Sequence, residues 1–272
     1  MNKKGFMLFP VLLLTLTSCG TESFTPVSKE EAPTKIAEYK GKLPEEVKKA
    51  GLSKGISASA ELIVNSKKSS IETVMSVVDG YLHTSVEING PTSEMLTVAY
   101  VEDGVYYSAT SVGAYIENEW HEVKAYVTAP ALQCEIKFEG LNTPEGINEY
   151  FVTENGGGIE NVTAALDEFL AELANSTKGV SLEVGNAGGV KLVTADAYVA
   201  FDSAARVEET YTHIAAEGVD ASFKTNIDYD ASFKAPSLRK YKGVKDLTVE
   251  EVGYLAALPA AVLADIGATL LM

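Results

Sequence analysis

Cysteine is almost absent from this chain, which has two cysteines, Cys19 and Cys134, in 272 residues. If Cys19 is modified, as the residues around it indicate, Cys134 has no partner and no disulfide within the chain is expected. Cys134 lies in the alternating stretch 132–138, on the same side as Leu132, Ile136 and Phe138. It is therefore predicted to be buried and to act as a small apolar side chain.

Histidine is also scarce, and the three histidines have no second histidine or cysteine at the spacing of a metal site. The sequence contains neither a Gly-x-Ser-x-Gly elbow nor a phosphate-binding loop. We therefore predict no catalytic residue, no metal and no cofactor, and a protein that is not an enzyme. His83 and His213 have polar neighbours at even spacing and are predicted to face solvent.

Positive charge is in short supply, since 22 Lys and Arg face 38 Asp and Glu, a formal net charge of −16. Loss of residues 1–18 removes Lys3 and Lys4 and takes the charge from −16 to −18. Such a surface repels phosphate backbones, so nucleic acid is excluded as a partner. The apolar fraction of 46% is sufficient for a folded core.

The N-terminus has the layout of a secretion signal: Lys3 and Lys4, then an uncharged run to Leu16, then small residues. The run is too short to span a bilayer, which needs about 20 residues. Leu16-Thr17-Ser18-Cys19 resembles the bacterial lipobox. The resemblance implies that Cys19 receives a diacylglyceryl group, becomes the new N-terminus and anchors the protein on the extracytoplasmic face of the cell membrane. An ordinary signal peptide with an incidental cysteine is the alternative.

The rest of the chain divides into three predicted parts. Residues 19–55 are polar and mixed, and we expect a lipidated N-terminus and flexible tether, with a short helix over 44–49. Residues 56–246 are dominated by alternating, strand-like segments with one inserted amphipathic helix over 161–174. Residues 247–272 form an apolar C-terminal helix, which begins at the capping box of Thr248 and Glu251. That helix is expected to cover the sheet or plug a cavity, with a second membrane anchor as the alternative.

The clearest strand signal covers residues 219–233, whose odd-numbered side chains are mainly apolar. The pentapeptide Asp-Ala-Ser-Phe-Lys occurs twice here, at 220–224 and 230–234, and the even spacing of ten predicts the same orientation for both copies. If helices form a lid over a cavity, Phe223, Ile227 and Tyr229 line it and are the candidate ligand-binding residues.

Residues 197–202 and 229–236 resemble the C-terminal part of LolA-like and LppX–LprG-type lipoproteins, in strand rhythm, in a turn with Asp202 and in an exit marked by Pro236. The resemblance implies an α+β fold: a curved antiparallel β-sheet, or half-barrel, with helices covering its concave face, which can hold acyl chains. The chain differs from these families in its long apolar extension after Pro236. Two functions remain open, a carrier of a lipid or other apolar ligand, and a surface structural or interaction lipoprotein with a filled core. Protein partners are not predicted.

Overall fold

The computed structural model describes residues 22–50, 55–131, 158–176, 179–216 and 218–270. In this part of the chain the fold is α+β, with one curved, unclosed sheet of 13 strands and three helices. Cys19, the lipobox, the signal peptide and the stretch around Cys134 lie outside the described residues.

The helices are α1 (Ala32–Lys49), α2 (Gly158–Asn175) and α3 (Val249–Leu270). The strands are β1 (Phe24–Pro26), β2 (Gly55–Val64), β3 (Lys67–Val78), β4 (Tyr81–Asn89), β5 (Ser93–Glu102), β6 (Val105–Ile116), β7 (Glu119–Pro130), β8 (Ser181–Gly185), β9 (Val190–Val193), β10 (Ala197–Phe201), β11 (Val207–Ala216), β12 (Val219–Asp228) and β13 (Lys242–Gly243).

The sheet consists of two meanders, a first one of β2 to β7 and a second one of β8 to β12. They are joined side by side by the pairing of β12 with β2. The strand order of the sheet is β1-β8-β9-β10-β11-β12-β2-β3-β4-β5-β6-β7-β13, with antiparallel neighbours except for the parallel pair β13 and β7. Two-residue turns such as Asp103–Gly104, with φ of 50° and 74°, connect adjacent strands of the first meander. Both turn residues have positive φ, which matches the right-handed twist of the flanking strands and favours Asp-Gly.

All three helices pack against one face of the sheet, which we name the helix face. Helices α1 and α2 enclose a core with Leu182, Leu192 and Phe201, whereas α3 packs on Ile88 and Val112. Paired positions in adjacent strands share a face. Such pairs connect the two helix groups in one row: Val199, Thr210, Thr225, Ala60, Ile71, Ile88, Met95 and Val112.

The opposite face is partly covered by residues 231–241, which we name the strap. Phe233, Leu238 and Tyr241 of the strap pack against a cluster that includes Val98 and Tyr100. The chain then pairs as β13 with β7 at the sheet edge and returns to the helix face as α3.

The predicted tether over 19–55 is wrong for the described part of that range, because 24–26 and 32–49 form β1 and α1. Ile36, Tyr39 and Leu43 recur on one side of α1 and are buried in the core. The Tyr39 hydroxyl also donates to the carbonyl oxygen of Asp202 at 2.7 Å. These apolar positions stand among lysines and glutamates, so the stretch looks like a polar linker in the sequence.

The predicted strand over 219–233 is too long, since β12 ends at Asp228. The Asp228 carboxylate accepts the Asp230 backbone N–H at 2.8 Å, a local turn that competes with continued strand pairing. Beyond this turn the chain leaves the sheet and forms the strap.

Helix α3 is capped at its N-terminal end and is held to the sheet by polar contacts near its C-terminal end. Thr248 and Glu251 form the predicted capping box, with N–H to side-chain distances of 2.8 and 3.2 Å. Asp265 accepts the Thr92 N–H at 2.8 Å and the Ser93 hydroxyl at 2.7 Å. Gly90 lies so close to this carboxylate that a Cβ would collide with it. Among the described helices, α3 is long and apolar enough, by length and composition alone, to cross a membrane.

Candidate functional site

The three candidate ligand-binding residues differ in their surroundings. Phe223 is 38% exposed on the helix face. Ile227, four residues further along β12 on the same face, is 1% exposed. Tyr229 packs against a cluster around Ile56, and its hydroxyl donates to the Val207 carbonyl at 3.0 Å. Of these three candidates, only Phe223 therefore remains available to a ligand.

Phe223 is part of a diagonal row of apolar side chains across β11, β12, β2 and β3. We name Ile214, Phe223, Leu62 and Ile71 the central apolar strip. Phe223 and Leu62 are directly paired, while Ile214 and Ile71 occupy the diagonal positions next to them. Diagonal neighbours lie about 7–8 Å apart, within reach of large side chains. Ile214 is 57% exposed and Ile71 is 41% exposed.

The strip lies between the two helix groups on the helix face. On one side, Val199 belongs to the core beneath α1 and α2, and Thr210 next to it is buried. On the other side, Ile88 is paired with Ile71 and is buried beneath α3. In the described part of the chain, Ile214, Phe223 and Ile71 thus remain exposed between two helical walls.

A buried polar cluster that was not predicted from the sequence lies beside the C-terminal end of β12. Asp202 accepts the backbone N–H groups of Ala204 and Arg206 at 2.8 and 2.9 Å, and Nε of Arg206 donates to it at 2.6 Å. The Arg206 guanidinium also lies 4.2 Å from the centre of the Tyr229 ring. Its Nη1 atom is buried and has no hydrogen-bond partner among the described residues.

Glu208 is close enough to this cluster for the charges of Asp202 and Arg206 to affect it, and its pKa is strongly perturbed. Burial, followed by the charges of Asp202 and Glu22, raises the pKa of Glu208 to about 7, and Arg206 offsets only part of the effect. Burial also raises the pKa of the Tyr39 and Tyr229 hydroxyls. Both hydroxyls therefore stay protonated and donate to backbone carbonyls. The cluster joins α1 to the β10–β11 turn, and the Asp-x-x-x-Arg spacing was its only signal in the sequence.

The histidines give no evidence for catalysis. His83 was predicted to face solvent, but it is buried under the strap, with its ring centre 5.2 Å from that of Phe233. Its neighbours in β4 are polar, but Phe233 arrives from a distant part of the chain, which the alternation does not reveal. His213 forms a 2.8 Å contact with Asp220 at the surface. Within the described ranges, no group of three or more His, Cys, Asp or Glu side chains could hold a metal ion.

Comparison with known proteins gives little further information. No protein-family model matches the chain, and no curated protein matches its sequence. Among solved structures, the crystal structure of a DUF1329 family protein from Desulfovibrio piger is similar over 75% of this chain and 94% of that one. The sequence identity is 8% and the TM-score is 0.18. A likeness at this level carries no argument about function.

Proposed function

We propose that the protein is a membrane-anchored extracytoplasmic lipoprotein that binds or carries a lipid or similar apolar ligand without enzymatic chemistry. The observation that supports this proposal is the central apolar strip. Phe223 and Ile71 keep 38% and 41% of their surface exposed, although buried positions surround them on the same face. Contiguous exposed apolar surface of this kind is typical of a binding site.

The shape of the central apolar strip favours an extended ligand. Four adjacent strands cover about 14 Å at a spacing near 4.8 Å, so the strip suits a stretch of acyl chain. Ile227 and Tyr229 are packed against protein, so the ligand contacts Phe223, Leu62, Ile71 and Ile214 instead. In this proposal the helix face is the concave face of the half-barrel, as the resemblance to LolA-like lipoproteins implies.

The anchor in this proposal is a diacylglyceryl group on Cys19. Phe24 in β1 is the fifth residue after Cys19, a reach of about 18 Å at most. The β1 edge of the sheet is therefore held close to the membrane. Labelling cells with a fatty-acid analogue checks the anchor: wild type is expected to carry label and Cys19→Ala to carry none. Equal labelling of the two proteins contradicts the anchor.

The ligand is tested with the acyl-free protein that begins at Gly20 and a fluorescent long-chain fatty acid. Replacing Ile71 or Phe223 with Glu places a carboxylate on the central apolar strip, and we expect affinity to fall at least tenfold. Val78→Glu is the matched control, because Val78 is also 41% exposed but lies on the opposite face of β3. It is expected to bind like wild type.

Two results decide against the carrier. If wild type binds no fatty acid at micromolar concentration and native mass spectrometry finds no co-purified lipid, the structural or interaction lipoprotein becomes the better proposal. If Ile71→Glu and Phe223→Glu bind as well as Val78→Glu, a ligand exists but the strip does not hold it.

A further inference from the structure

The outward side of α3 is apolar from Val252 to Ala268 and has no partner among the described residues. Its largest side chains, Val252 and Leu263, are 49% and 61% exposed. The exposed positions between and beyond them are small and apolar, namely Gly253, Ala256, Ala257, Ala260, Ala264 and Ala268. At 1.5 Å per residue this surface, which we name the outer face of α3, is about 24 Å long.

A helix that is apolar all around is normally buried in a protein core or in a membrane. Helix α3 is buried on one side alone: 17% of its most apolar window is buried, chiefly through Leu258 and Val262. The contacts of Asp265 with Thr92 and Ser93 hold that side on the sheet, so the helix does not cross a bilayer in this fold.

Charge and area indicate what covers the outer face. Residues 252–264 contain no charged side chain, in a chain with a formal net charge of −16. Two copies meeting through the outer face alone would bury roughly 500 Å², since the helix is about 10 Å wide. Stable protein interfaces bury about 1,200 Å² or more. A lipid surface has no such lower limit and accepts an uncharged apolar helix face.

We propose that the outer face of α3 lies on the surface of a lipid bilayer. Because α3 packs on the helix face, this contact turns the central apolar strip toward the membrane from which an apolar ligand comes. The contact is a second attachment, independent of Cys19, and goes beyond the proposed function because it needs neither the acyl anchor nor a bound ligand.

The test measures co-flotation of the acyl-free protein that begins at Gly20 with phosphatidylcholine vesicles. Wild type is expected to bind, and added salt is expected to have little effect because the lipid is neutral. The double variant Val252→Glu with Leu263→Glu buries two carboxylates in the contact, and its partition is expected to fall at least tenfold. Val78→Glu is the matched control and is expected to float like wild type. Ala260→Glu is a milder second variant, and the unfolding midpoint of each protein confirms that it is folded.

Failure of this proposal and failure of the carrier proposal have different signatures. The double variant is expected to keep fatty-acid binding, and Ile71→Glu is expected to keep vesicle binding. The bilayer contact is overturned if wild type does not float, or if the folded double variant and Ala260→Glu float as well as Val78→Glu. It is also overturned if sedimentation shows a wild-type dimer that Leu263→Glu disperses, because the outer face is then an interface between two copies.

Discussion

The pentapeptide Asp-Ala-Ser-Phe-Lys occurs at residues 220–224 and again at residues 230–234, and its two copies have different structures. The first copy is inside β12, paired with β11 and β2, and its Phe223 is 38% exposed on the helix face. The second is in the strap, where the Phe233 ring packs against His83 and Tyr100 at centre distances of 5.2 and 5.5 Å. The two phenylalanines thus lie on opposite faces of one sheet.

The difference arises outside the repeated residues. The first copy has a partner strand on each side, so its backbone groups are satisfied by ladder hydrogen bonds. The second follows the turn in which Asp228 accepts the Asp230 N–H, which takes the chain off the sheet. Strand preference mainly reflects the fit of side chains to their neighbours, so one pentapeptide is compatible with both environments.

The largest effect expected from this comparison concerns stability. Phe233→Ala removes a ring packed in the strap cluster and should lower the free energy of unfolding by about 2–4 kcal/mol. Phe223→Ala removes a ring that is more than one-third exposed and should cost less than about 1 kcal/mol. Urea unfolding of the two variants, followed by circular dichroism, measures both values.

A reversed order in that experiment would mean that the first copy is the covered one and that Phe223 is not available to a ligand. Equal losses would mean that the strap contributes no more packing than the strip. The two variants make the same change in the same pentapeptide, so the order of the two losses decides the comparison.

Alternation identified which side chains share a face of the sheet, and this part of the fold was predictable. The helix α2 lies close to its predicted range 161–174, and strands occupy much of the range 56–246, as predicted. The turn between β6 and β7 was not predictable from the sequence pattern. Glu117 and Asn118 form this turn with φ of 50° and 69°, without the Gly or Pro that usually marks such a turn.

Exposure of the candidate site was much less predictable. The pattern placed Phe223 and Ile227 on one face correctly, because the side-chain period of a strand is two. Which of them is covered depends on where the helices dock, and that depends on contacts between distant parts of the chain. The Asp202 cluster was missed for the same reason, since Tyr39 and Tyr229 reach it from α1 and from the end of β12.

A smaller effect is expected on the pH dependence of stability. It distinguishes the two copies of the pentapeptide because only the second copy covers His83. Burial lowers the pKa of His83, and the charges of Asp79 and Glu102 counteract this only in part. The Val101 N–H donates to Nε2 at 3.3 Å, which requires that this nitrogen be unprotonated. The folded protein therefore prefers neutral His83, whereas the unfolded chain takes up a proton near pH 6.5.

The sign of the pH effect follows from this preference. Above about pH 6.5 the contribution of His83 to stability is fully present, and it is lost as the pH falls through the lowered pKa of the folded state. Urea unfolding at a series of pH values should thus show a loss of stability below pH 6.5 that is smaller in His83→Gln. Phe233→Ala opens the histidine to solvent and should also reduce the loss, whereas Phe223→Ala should leave it as in wild type. If both alanine variants retain the full loss, Phe233 does not control the burial of His83, and the two copies differ in packing alone.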